Sequence, residues 1–554
     1  MDTVRDVVVV GGGHNGLVCA AYLAQRGLDV LVLEGRDSPG GAAATDEPWP
    51  GYRVSTASYV VSLMPERIIS DLHLRRHGYR VSLLEPDYFI PYDGGTSLTL
   101  WGDTARAADE IAKFSRADAE AYVGFDAYLT RLGKLLHELL FVIPPNLRLA
   151  DVPRWVALGG RLRRWTGRDV AEIVRLFTIS AADLLAEWFS DARVKGALAS
   201  QAIIGAWTGP MSPGSAYVLL HHWMGEVDGH EGAWAWVHGG MGMVGTVLAR
   251  AAEAFGAEVR TGASVRQVVV EGGRASGVEL GTGTVVRARR VVSNAHPVTT
   301  LRDLVGEAHL PDQVAADVRR YRSRSGSVKV NLALSELPRL ESWHGSVPGD
   351  PHTGILSISP SIEYLERAWD DAKYGRMSES PYIEAVFPTV FEPDLAPSGK
   401  HIALCFTQFG PYELADGSWE ECRSVYGDRI VATLARYAPG FESSIEDIQV
   451  LPPAELEDRY GLLGGNIFQG DMSPDQMFCL RPFVGYADYR TPVAHLYMCG
   501  SGTHPGGGVM GVPGLNCARV VLGEARRERL SRRIADRARP GRKADAVGRG
   551  RTAQ

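Results

Sequence analysis

The sequence predicts an α/β protein: a Rossmann-type cofactor-binding domain that carries a β-meander insertion, plus a second, mixed α/β substrate domain. Three observations support this fold class. A strand–turn–helix–strand unit begins at Asp6, strand-like segments return from Glu258 to Val292, and a strand followed by a helix lies between His495 and Leu530. Because 554 residues are too many for one simple core, we expect two intertwined domains.

The N-terminal unit has the pattern of two buried parallel strands and their crossover helix. Asp6 to Val10 and Leu28 to Leu33 are short apolar runs rich in Val and Leu, which is typical of strands buried on both faces. Between them, Leu17 to Arg26 is rich in Ala and Leu, and Gly27 marks the end of the predicted helix. The unit is therefore predicted to be βαβ.

A glycine-rich turn joins the first strand to this helix. Gly11, Gly13 and Gly16 have the G-x-G-x-x-G spacing, which allows a tight turn, close approach of a pyrophosphate and close helix–strand packing. The helix N-terminus then presents free N–H groups to the phosphates. His14 and Asn15 lie in this turn, where we expect them to contact phosphate or to shape the turn. The flanking strand and helix make this a strong dinucleotide-binding signal.

The end of the second strand narrows the choice of dinucleotide. Glu34 lies 18 residues past Gly16, and its carboxylate can accept hydrogen bonds from ribose hydroxyls and would repel a 2′-phosphate. This favours FAD or NAD over NADP. The glycine pair in the next loop favours FAD, because many flavoproteins use such a loop as a second pyrophosphate-facing element. The cofactor-binding residues expected here are Glu34, Gly35, Arg36, Gly40, Gly41 and Ala42.

A second glycine pattern, formed by Gly240, Gly242 and Gly245, raises the alternative of a nicotinamide dinucleotide site. The next predicted strand, Glu258 to Gly262, ends without an acidic residue for a ribose, and no complete βαβ repeat follows it. We therefore expect the N-terminal site to be the only dinucleotide site.

Further motifs are spread along nearly the whole chain, apart from its basic C-terminal tail. They are residues 8–16, 40–41, 52–63, 237–242, 293–297, 464–468 and 499–514. Together they resemble the phytoene desaturase-like family of FAD-linked oxidoreductases. The resemblance implies FAD as the cofactor.

The resemblance also implies roles for individual positions. Val265 corresponds to the residue whose backbone meets the adenine. The last predicted helix begins near the flavin, and its dipole would stabilise the negative charge of a reduced flavin. The loop at the ribityl chain and isoalloxazine is Gly500, Ser501 and Gly502, and the start of the last helix is Gly511, Val512 and Pro513. The residues placed beside the flavin or the substrate are Gly240, Met241 and Gly242.

Composition limits the partners that we expect. A net charge of -7 gives no electrostatic reason to expect nucleic acid. The six cysteines contain no C-x-x-C pair, so we predict neither a redox dithiol nor a zinc site, and we expect no metal ion. No stretch approaches the roughly 18 apolar residues of a membrane span, and no targeting signal is recognisable. We expect a cytoplasmic protein.

One segment, His137 to Trp165, combines apolar and aromatic residues with a cluster of arginines. Such an element can lie on a bilayer, so peripheral membrane contact is one interpretation. The wall of a substrate tunnel and a homodimer interface are the alternatives, and the oligomeric state is left open. The basic tail, 531–554, is predicted to be disordered, with a lipid or nucleic-acid contact as the alternative.

The predicted domains are discontinuous. The FAD-binding domain comprises residues 1–70, 235–300 and 480–530, and the substrate domain comprises residues 71–234 and 301–479. Acid–base candidates are few. His504 follows the flavin loop and is either catalytic or a structural histidine that bonds a backbone carbonyl.

The leading functional hypothesis is an FAD-dependent oxidoreductase of the dehydrogenase or desaturase type. It would transfer a hydride from a small apolar organic substrate to flavin N5, with oxygen or a quinone as the acceptor. Because the cofactor carries the difficult chemistry, the absence of a clear catalytic pair does not argue against an enzyme. The alternatives are a flavin-dependent isomerase or saturase, and a flavin-bearing regulatory or interaction protein without turnover.

Overall fold

The computed structural model of the chain describes residues 4–538. Its strands in chain order are β1 Val7–Val10, β2 Val30–Leu33, β3 Asp46–Trp49, β4 Tyr52–Val54, β5 Val81–Leu83, β6 Tyr88–Tyr92, β7 Thr96–Leu100, β8 Glu226–Val227, β9 His230–Glu231, β10 Ala235–Val237, β11 Glu258–Arg260, β12 Val265–Glu271, β13 Arg274–Leu280, β14 Val285–Arg287, β15 Val291–Ser293, β16 Ser327–Leu334, β17 Ile355–Ile358, β18 Tyr382–Val386, β19 His401–Gln408, β20 Ile445–Leu451 and β21 Leu496–Met498.

The α-helices connect and cover these strands. In chain order they are α1 His14–Ala24, α2 Glu66–Asp71, α3 Thr104–Ala112, α4 Arg116–Leu140, α5 Val152–Arg161, α6 Gly167–Leu176, α7 Ala181–Ala186, α8 Ala192–Ala199, α9 Ser215–Trp223, α10 Gly242–Ala254, α11 Asp312–Arg320, α12 Asp350–Thr353, α13 Ile362–Lys373, α14 Trp419–Ala435, α15 Pro453–Tyr460 and α16 Val512–Ala538.

The first sheet is the parallel sheet that the N-terminal pattern predicts. Its five strands have the order β11-β2-β1-β15-β21, and every neighbouring pair is parallel. Val8 pairs with Leu31 on one side and with Val291 on the other, so the central strand is buried within the sheet. In such open sheets, ligands bind outside the carboxyl ends of the strands. In this protein, α1 begins at that edge, directly after β1.

Three helices pack against this sheet and one another, with α1 between α10 and α16. Glycines at the crossing points allow the close approach. A β-carbon at Gly514 of α16 would overlap the carbonyl oxygen of Asn15 in α1, and one at Gly245 of α10 would overlap the backbone at Pro39 and Gly40. α16 thereby packs closely against α1, and α10 packs closely against the loop at Pro39 and Gly40.

The β-meander is present, but one of its predicted boundaries is wrong. β12, β13 and β14 form a three-stranded antiparallel sheet between β11 and β15. Among the strand-like segments from Glu258 to Val292, residues Val285 to Val292 are expected to form a single strand, whereas β14 ends at Arg287 and β15 begins at Val291. The two halves belong to different sheets, so the chain must turn between them, and residues 288–290 include no glycine, proline, asparagine or aspartate that would show that turn.

The second domain is built on a seven-stranded sheet of order β20-β16-β19-β18-β17-β6-β7. All neighbouring strands in this sheet are antiparallel, except that β17 and β6 are parallel. Every residue of β16 is buried. Val328, Val330 and Leu332 pack with residues of α14, whereas the alternate residues Ser327 and Lys329 face the large cavity described below.

Two further features concern the helices. Within residues 4–538, none of them combines the length and the apolar character that crossing a membrane requires. α16 continues through Ala538, which is eight residues beyond the boundary predicted at 530. The start of the predicted tail is therefore helical, and residues 539–554 lie outside the described part of the chain.

Gly514→Ala tests the crossing of α16 over α1. Because the added methyl group would overlap the carbonyl oxygen of Asn15, we expect the free energy of unfolding to fall by about 1–3 kcal/mol. Equilibrium urea denaturation measures this change. Gly159→Ala, on α5, is the matched control, because nothing lies within 4 Å of its β-carbon position and Ala favours a helix by up to about 1 kcal/mol. Equal losses in the two variants would contradict the packing argument.

Candidate cofactor and substrate site

A large cavity extends from the first glycine turn to the sheet of the second domain. It encloses about 1760 Å³ of empty space, part of which is open to solvent. Residues from the N-terminal unit, from β16 and β19 and from the C-terminal loop line it. The predicted site residues found in its wall are Gly11, Gly13, His14, Asn15, Glu34, Arg36, Gly40, Gly41, Ala42 and Ser501.

The glycine turn forms a backbone cradle at one end of this cavity. A β-carbon at Gly13 would lie 2.5 Å from Asn294 Nδ2, so a larger residue does not fit there. His14 Nε2 and Asn15 Oδ1 are buried and have no hydrogen-bond partner among the described residues. Asn15 Nδ2 donates to Ser501 Oγ at 3.0 Å, which joins α1 to the C-terminal loop. Unsatisfied polar atoms beside a helix N-terminus fit a phosphate-bearing ligand.

Glu34 organises the backbone beside this cradle. Its buried carboxylate accepts hydrogen bonds from the Gly12 N–H at 2.7 Å and from the Arg36 N–H at 2.9 Å. The Arg36 guanidinium donates to the Gly41 carbonyl at 2.9 Å and lies 4.9 Å from the centroid of the Tyr460 ring. Glu34 therefore fixes the glycine turn, and Arg36 fixes the following loop, at the same end of the cavity.

Several predicted cofactor residues support the cavity from behind and do not line it. A β-carbon at Gly500 would lie 2.6 Å from the Asn294 carbonyl oxygen, and one at Gly511 would lie 3.0 Å from Val18, so these glycines allow close packing. Val265, at the start of β12, is absent from the wall of the large cavity. The same holds for Gly16, Gly35, Gly500, Gly502, Gly511, Val512 and Pro513.

Gly240, Met241 and Gly242, which the resemblance places beside the flavin or the substrate, make packing contacts in the structure. They are absent from the cavity wall. The Met241 N–H donates to Ser55 Oγ at 3.0 Å, and the Gly242 N–H donates to Thr45 Oγ1 at 2.9 Å. The G-x-G-x-x-G spacing therefore packs the start of α10 against residues 39–55, and a contact of these residues with the flavin or substrate stays a prediction.

His504 also lies outside the cavity wall. Its Nε2 donates to the Leu139 carbonyl oxygen at 2.9 Å, and its ring meets the Phe478 ring edge-on at 5.3 Å. Burial lowers the pKa of His504 to about 4. This geometry favours the structural role, in which the neutral ring anchors the loop after β21 to the end of α4.

Lys329 and Phe406 line the inner wall of the cavity, and Glu384 lies beside Phe406 on the next strand but does not line the wall; the sequence reasoning missed this row. Lys329 of β16, Phe406 of β19 and Glu384 of β18 are paired in register across three adjacent strands. Lys329 donates to Asn331 Oδ1, and burial lowers the pKa of Lys329 to about 7. A lysine that alternates with Val and Leu in a predicted strand was the signal available in the sequence.

Tyr59 contacts all three residues of this row. Its ring stacks on Phe406 with centroids 5.9 Å apart, and Lys329 Nζ lies 5.7 Å from the centroid of the same ring. The Tyr59 hydroxyl donates to Glu384, which also accepts from the Tyr382 hydroxyl at 2.6 Å. Burial raises the pKa of Glu384. The wall thus contains an amine and a phenol, and the phenol is hydrogen-bonded to a buried carboxyl group that does not itself line the cavity; each of the three groups can hold or release a proton.

A second, outer cavity meets the first at His222 and Trp234, which line both. It encloses about 1200 Å³ of empty space, part of it open to solvent. Tyr88 Oη and Gln201 Nε2 lie in its wall, buried and without a hydrogen-bond partner in the described chain. Burial, with the charges of neighbouring carboxylates, raises the pKa of Asp87 in the same wall to about 7.

Comparison with known proteins agrees with this geometry. Residues 9–72 match the NAD(P)-binding Rossmann-like domain family, and residues 157–422 match the flavin-containing amine oxidoreductase family. Pyridine nucleotide-disulfide oxidoreductase domain-containing protein 2 of Rattus norvegicus is 39% identical over 544 residues, which cover 93% of each chain. The lycopene-forming phytoene desaturase of Pseudescherichia vulneris is 25% identical over 92% of this chain and 97% of its own.

A solved oxidoreductase from Methanosarcina mazei has the same fold over 94% of this chain and 100% of its own, with a TM-score of 0.58 and 17% identity. The fold, the glycine cradle and the flavin family match define an FAD-dependent oxidoreductase. The chain belongs to the phytoene desaturase-like family of FAD-linked oxidoreductases. Membership of an oxidoreductase family sets aside the alternative of a regulatory protein without turnover.

Glu34→Gln tests the organisation of the cradle. The amide presents an N–H group where the carboxylate now accepts from two backbone N–H groups, so at least one of those donors loses its partner. We expect the Kd for FAD to rise about tenfold or more, as measured by titrating the flavin-free protein with FAD. Glu47→Gln, at an exposed position, should leave the Kd unchanged. Equal affinity in wild type and Glu34→Gln would contradict this role.

Lys329→Met tests the buried amine through stability. In the folded protein Lys329 loses its proton near pH 7, whereas in the unfolded chain it keeps it to about pH 10. Between these values the unfolded state binds more protons, so Lys329 makes the wild-type free energy of unfolding rise by about 1.4 kcal/mol per pH unit. The Met variant lacks this slope, so its advantage over wild type should be largest near pH 6 and shrink towards pH 10.

Denaturant unfolding across this pH range measures the difference. Lys373→Met is the control, because the ion pair with Asp370 raises the pKa of exposed Lys373, which therefore contributes no slope between pH 7 and pH 10. Parallel stability curves for wild type and Lys329→Met would show that Lys329 titrates normally in the fold.

Proposed function

We propose that the protein oxidises a small apolar organic substrate at a C–H or C–N bond, with oxygen or a quinone as the final electron acceptor. The observation that carries this proposal is the single cavity that is lined by the glycine cradle at one end and by Lys329, Phe406 and Tyr59 at the other. When bound, FAD supplies the hydride acceptor, flavin N5. Most of the surface of this cavity is apolar, and Leu63, Ile204 and Ile467 are among its lining residues.

The residues that would hold FAD are those of the cradle. The start of α1 and the Gly40-Gly41 loop would face the pyrophosphate, and Glu34 lies where a ribose hydroxyl would be expected. His14 is buried and its pKa is lowered to about 4, so a neutral ring faces the cavity at this end. Asn15 and Ser501, already hydrogen-bonded to each other, would close the cradle on the side of α16.

The inner wall would handle the proton that an oxidation releases. Near pH 7 a fraction of Lys329 is a neutral amine, which can accept a proton from the substrate directly or through one water molecule. Tyr59 and Glu384 keep this wall ordered, and their hydrogen bond gives the phenol a fixed orientation. Phe406 and the Tyr59 ring would hold an apolar substrate by contact with their faces.

The same row supports a second candidate, a flavin-dependent isomerase or saturase. Such a reaction must return a proton to carbon, and Lys329 as an ammonium group, or Glu384 through Tyr59, can supply it. The electron balance separates the two functions. A dehydrogenase leaves the flavin reduced until an acceptor is added, a saturase needs external electrons, and an isomerase needs none overall.

The direct test uses the purified holoprotein and the small molecules that co-purify with it, identified by mass spectrometry. Each is mixed anaerobically with the protein while flavin absorbance is followed. Bleaching that is reversed by oxygen or by a soluble quinone supports the proposed oxidation. A converted product without bleaching supports isomerisation. A protein that neither contains nor binds flavin would overturn both candidates.

Tyr59→Phe tests the inner wall in the same assay. Removing the hydroxyl leaves the Glu384 carboxyl without one of its two donors and loosens the wall beside Lys329. We expect flavin reduction by substrate to slow about tenfold to a hundredfold, with a shifted pH profile and unchanged flavin content. Tyr374→Phe, at a position 67% exposed, is the matched control and should reduce at the wild-type rate. An unchanged rate in Tyr59→Phe would remove this wall from the mechanism.

A further inference from the structure

The wall of the outer cavity is both acidic and aromatic. It contains the carboxylates of Asp87, Asp126 and Glu231 and, within residues 4–538, neither a lysine nor an arginine. The tyrosines and tryptophans in the same wall are Tyr88, Trp101, Tyr122, Trp223 and Trp234. Carboxylates and the faces of aromatic rings, above all those of tryptophan, both attract cations.

Two of the three carboxylates lack a cationic partner. Glu231 pairs with Lys134 at 2.8 Å, so its charge is balanced within the protein. Asp126 accepts a hydrogen bond from the neutral Thr104 hydroxyl at 2.7 Å. Neither Asp87 nor Asp126 forms an ion pair with any described side chain. The outer cavity therefore contains negative charge that the described part of the chain does not balance.

Asp87 is the carboxylate most affected by this imbalance. Burial, together with the negative charges of Glu85 and Asp126, raises the pKa of Asp87 to about 7. The neighbouring phenols Tyr88 and Tyr122 stay neutral, because burial raises the pKa of each well above its ordinary value. A cation bound beside Asp87 would favour the charged carboxylate and so lower its pKa.

Two buried polar side chains in the same wall are also without a partner. Tyr88 is 7% exposed and Gln201 is 6% exposed. Tyr88 Oη and Gln201 Nε2 make no hydrogen bond within the described chain. Because leaving buried polar groups unpaired is unfavourable, their position in a cavity wall favours a ligand that carries a hydrogen-bonding oxygen.

We propose that the outer cavity binds a small organic ammonium ion that also carries an oxygen atom. Asp87 and Asp126 would balance the ammonium charge, and the ring of a wall tryptophan would contact its alkyl groups. Gln201 Nε2 and the Tyr88 hydroxyl would donate to the oxygen.

An organic cation suits this cavity better than a metal ion does. Within residues 4–538, no group of three or more His, Cys, Asp or Glu side chains could hold a metal ion. The cavity also encloses about 1200 Å³ of empty space, part of it open to solvent, which is far more than a metal ion requires. His222 and Trp234 are the two lining residues that it shares with the cofactor cavity. This proposal does not rest on the proposed reaction.

Calorimetric titration of the full-length holoprotein with choline chloride tests the proposal. Choline carries a positive charge at every pH and a hydroxyl oxygen. The matched control ligand is 3,3-dimethylbutan-1-ol, which has nearly the same shape without the charge. At pH 8 we expect choline to bind with a Kd of about 1 mM or lower, and the neutral alcohol to bind at least about tenfold more weakly. Equal binding of the two ligands, or no binding of choline, would overturn the proposal.

Asp87→Asn tests whether choline binds in the outer cavity. At pH 8 this variant should bind choline at least about tenfold more weakly than wild type. Asp416→Asn makes the same change at an exposed position outside the cavity and should bind like wild type. Retained flavin absorbance shows that each variant is folded.

The pH dependence of choline binding gives an independent readout of Asp87. Since Asp87 loses its proton near pH 7, the wild-type affinity should rise about tenfold between pH 6 and pH 8. Asp87→Asn should lack this rise. If Asp87→Asn binds choline as tightly as wild type over the whole range, the outer cavity is not the ammonium site.

Discussion

The architecture depends on one direct backbone contact, between the turn at Gly11 to Gly16 and the loop at Gly40 and Gly41. The Gly40 N–H donates to the Gly12 carbonyl at 2.8 Å, and a β-carbon at Gly41 would lie 3.3 Å from the Gly13 Cα. Both loop glycines have positive φ, which other residues rarely adopt. α10 packs against one side of this contact and α16 packs against the other. Segments that are far apart in the sequence are therefore in close contact at this place.

The features that could be predicted from the sequence are those whose cause is local. The unit β1–α1–β2 follows from apolar runs and glycine spacing within its first few dozen residues. Glu34 could be singled out because it ends the second strand, and the structure shows its carboxylate bonded to the backbone of Gly12 and Arg36. In such cases the residue type, the spacing and the chemistry required all refer to one short segment.

The inner wall could not be predicted, because it exists only through pairing between distant strands. Lys329, Phe406 and Glu384 become neighbours through the register of three strands, and Tyr59 comes from another part of the chain. The glycine spacing at Gly240 shows another limit, since the close packing of this segment against Thr45 also requires glycine and cannot be told from a ligand-binding turn by spacing alone. A spacing rule about cysteines likewise missed that buried Cys19, Cys499 and Cys517 come together in the core.

α16 runs without interruption from the loop beside the cofactor cavity to the outer surface. Val512 begins it and Arg527 lies fifteen residues later, about 22 Å along the axis. If a packed, continuous helix moves as one body, a displacement of its solvent-facing turns also displaces its first turn, which follows Gly511. Thermodynamic linkage would make such coupling reciprocal. A ligand at one end of the helix that changes the affinity for a ligand at the other end by some factor has its own affinity changed by the same factor.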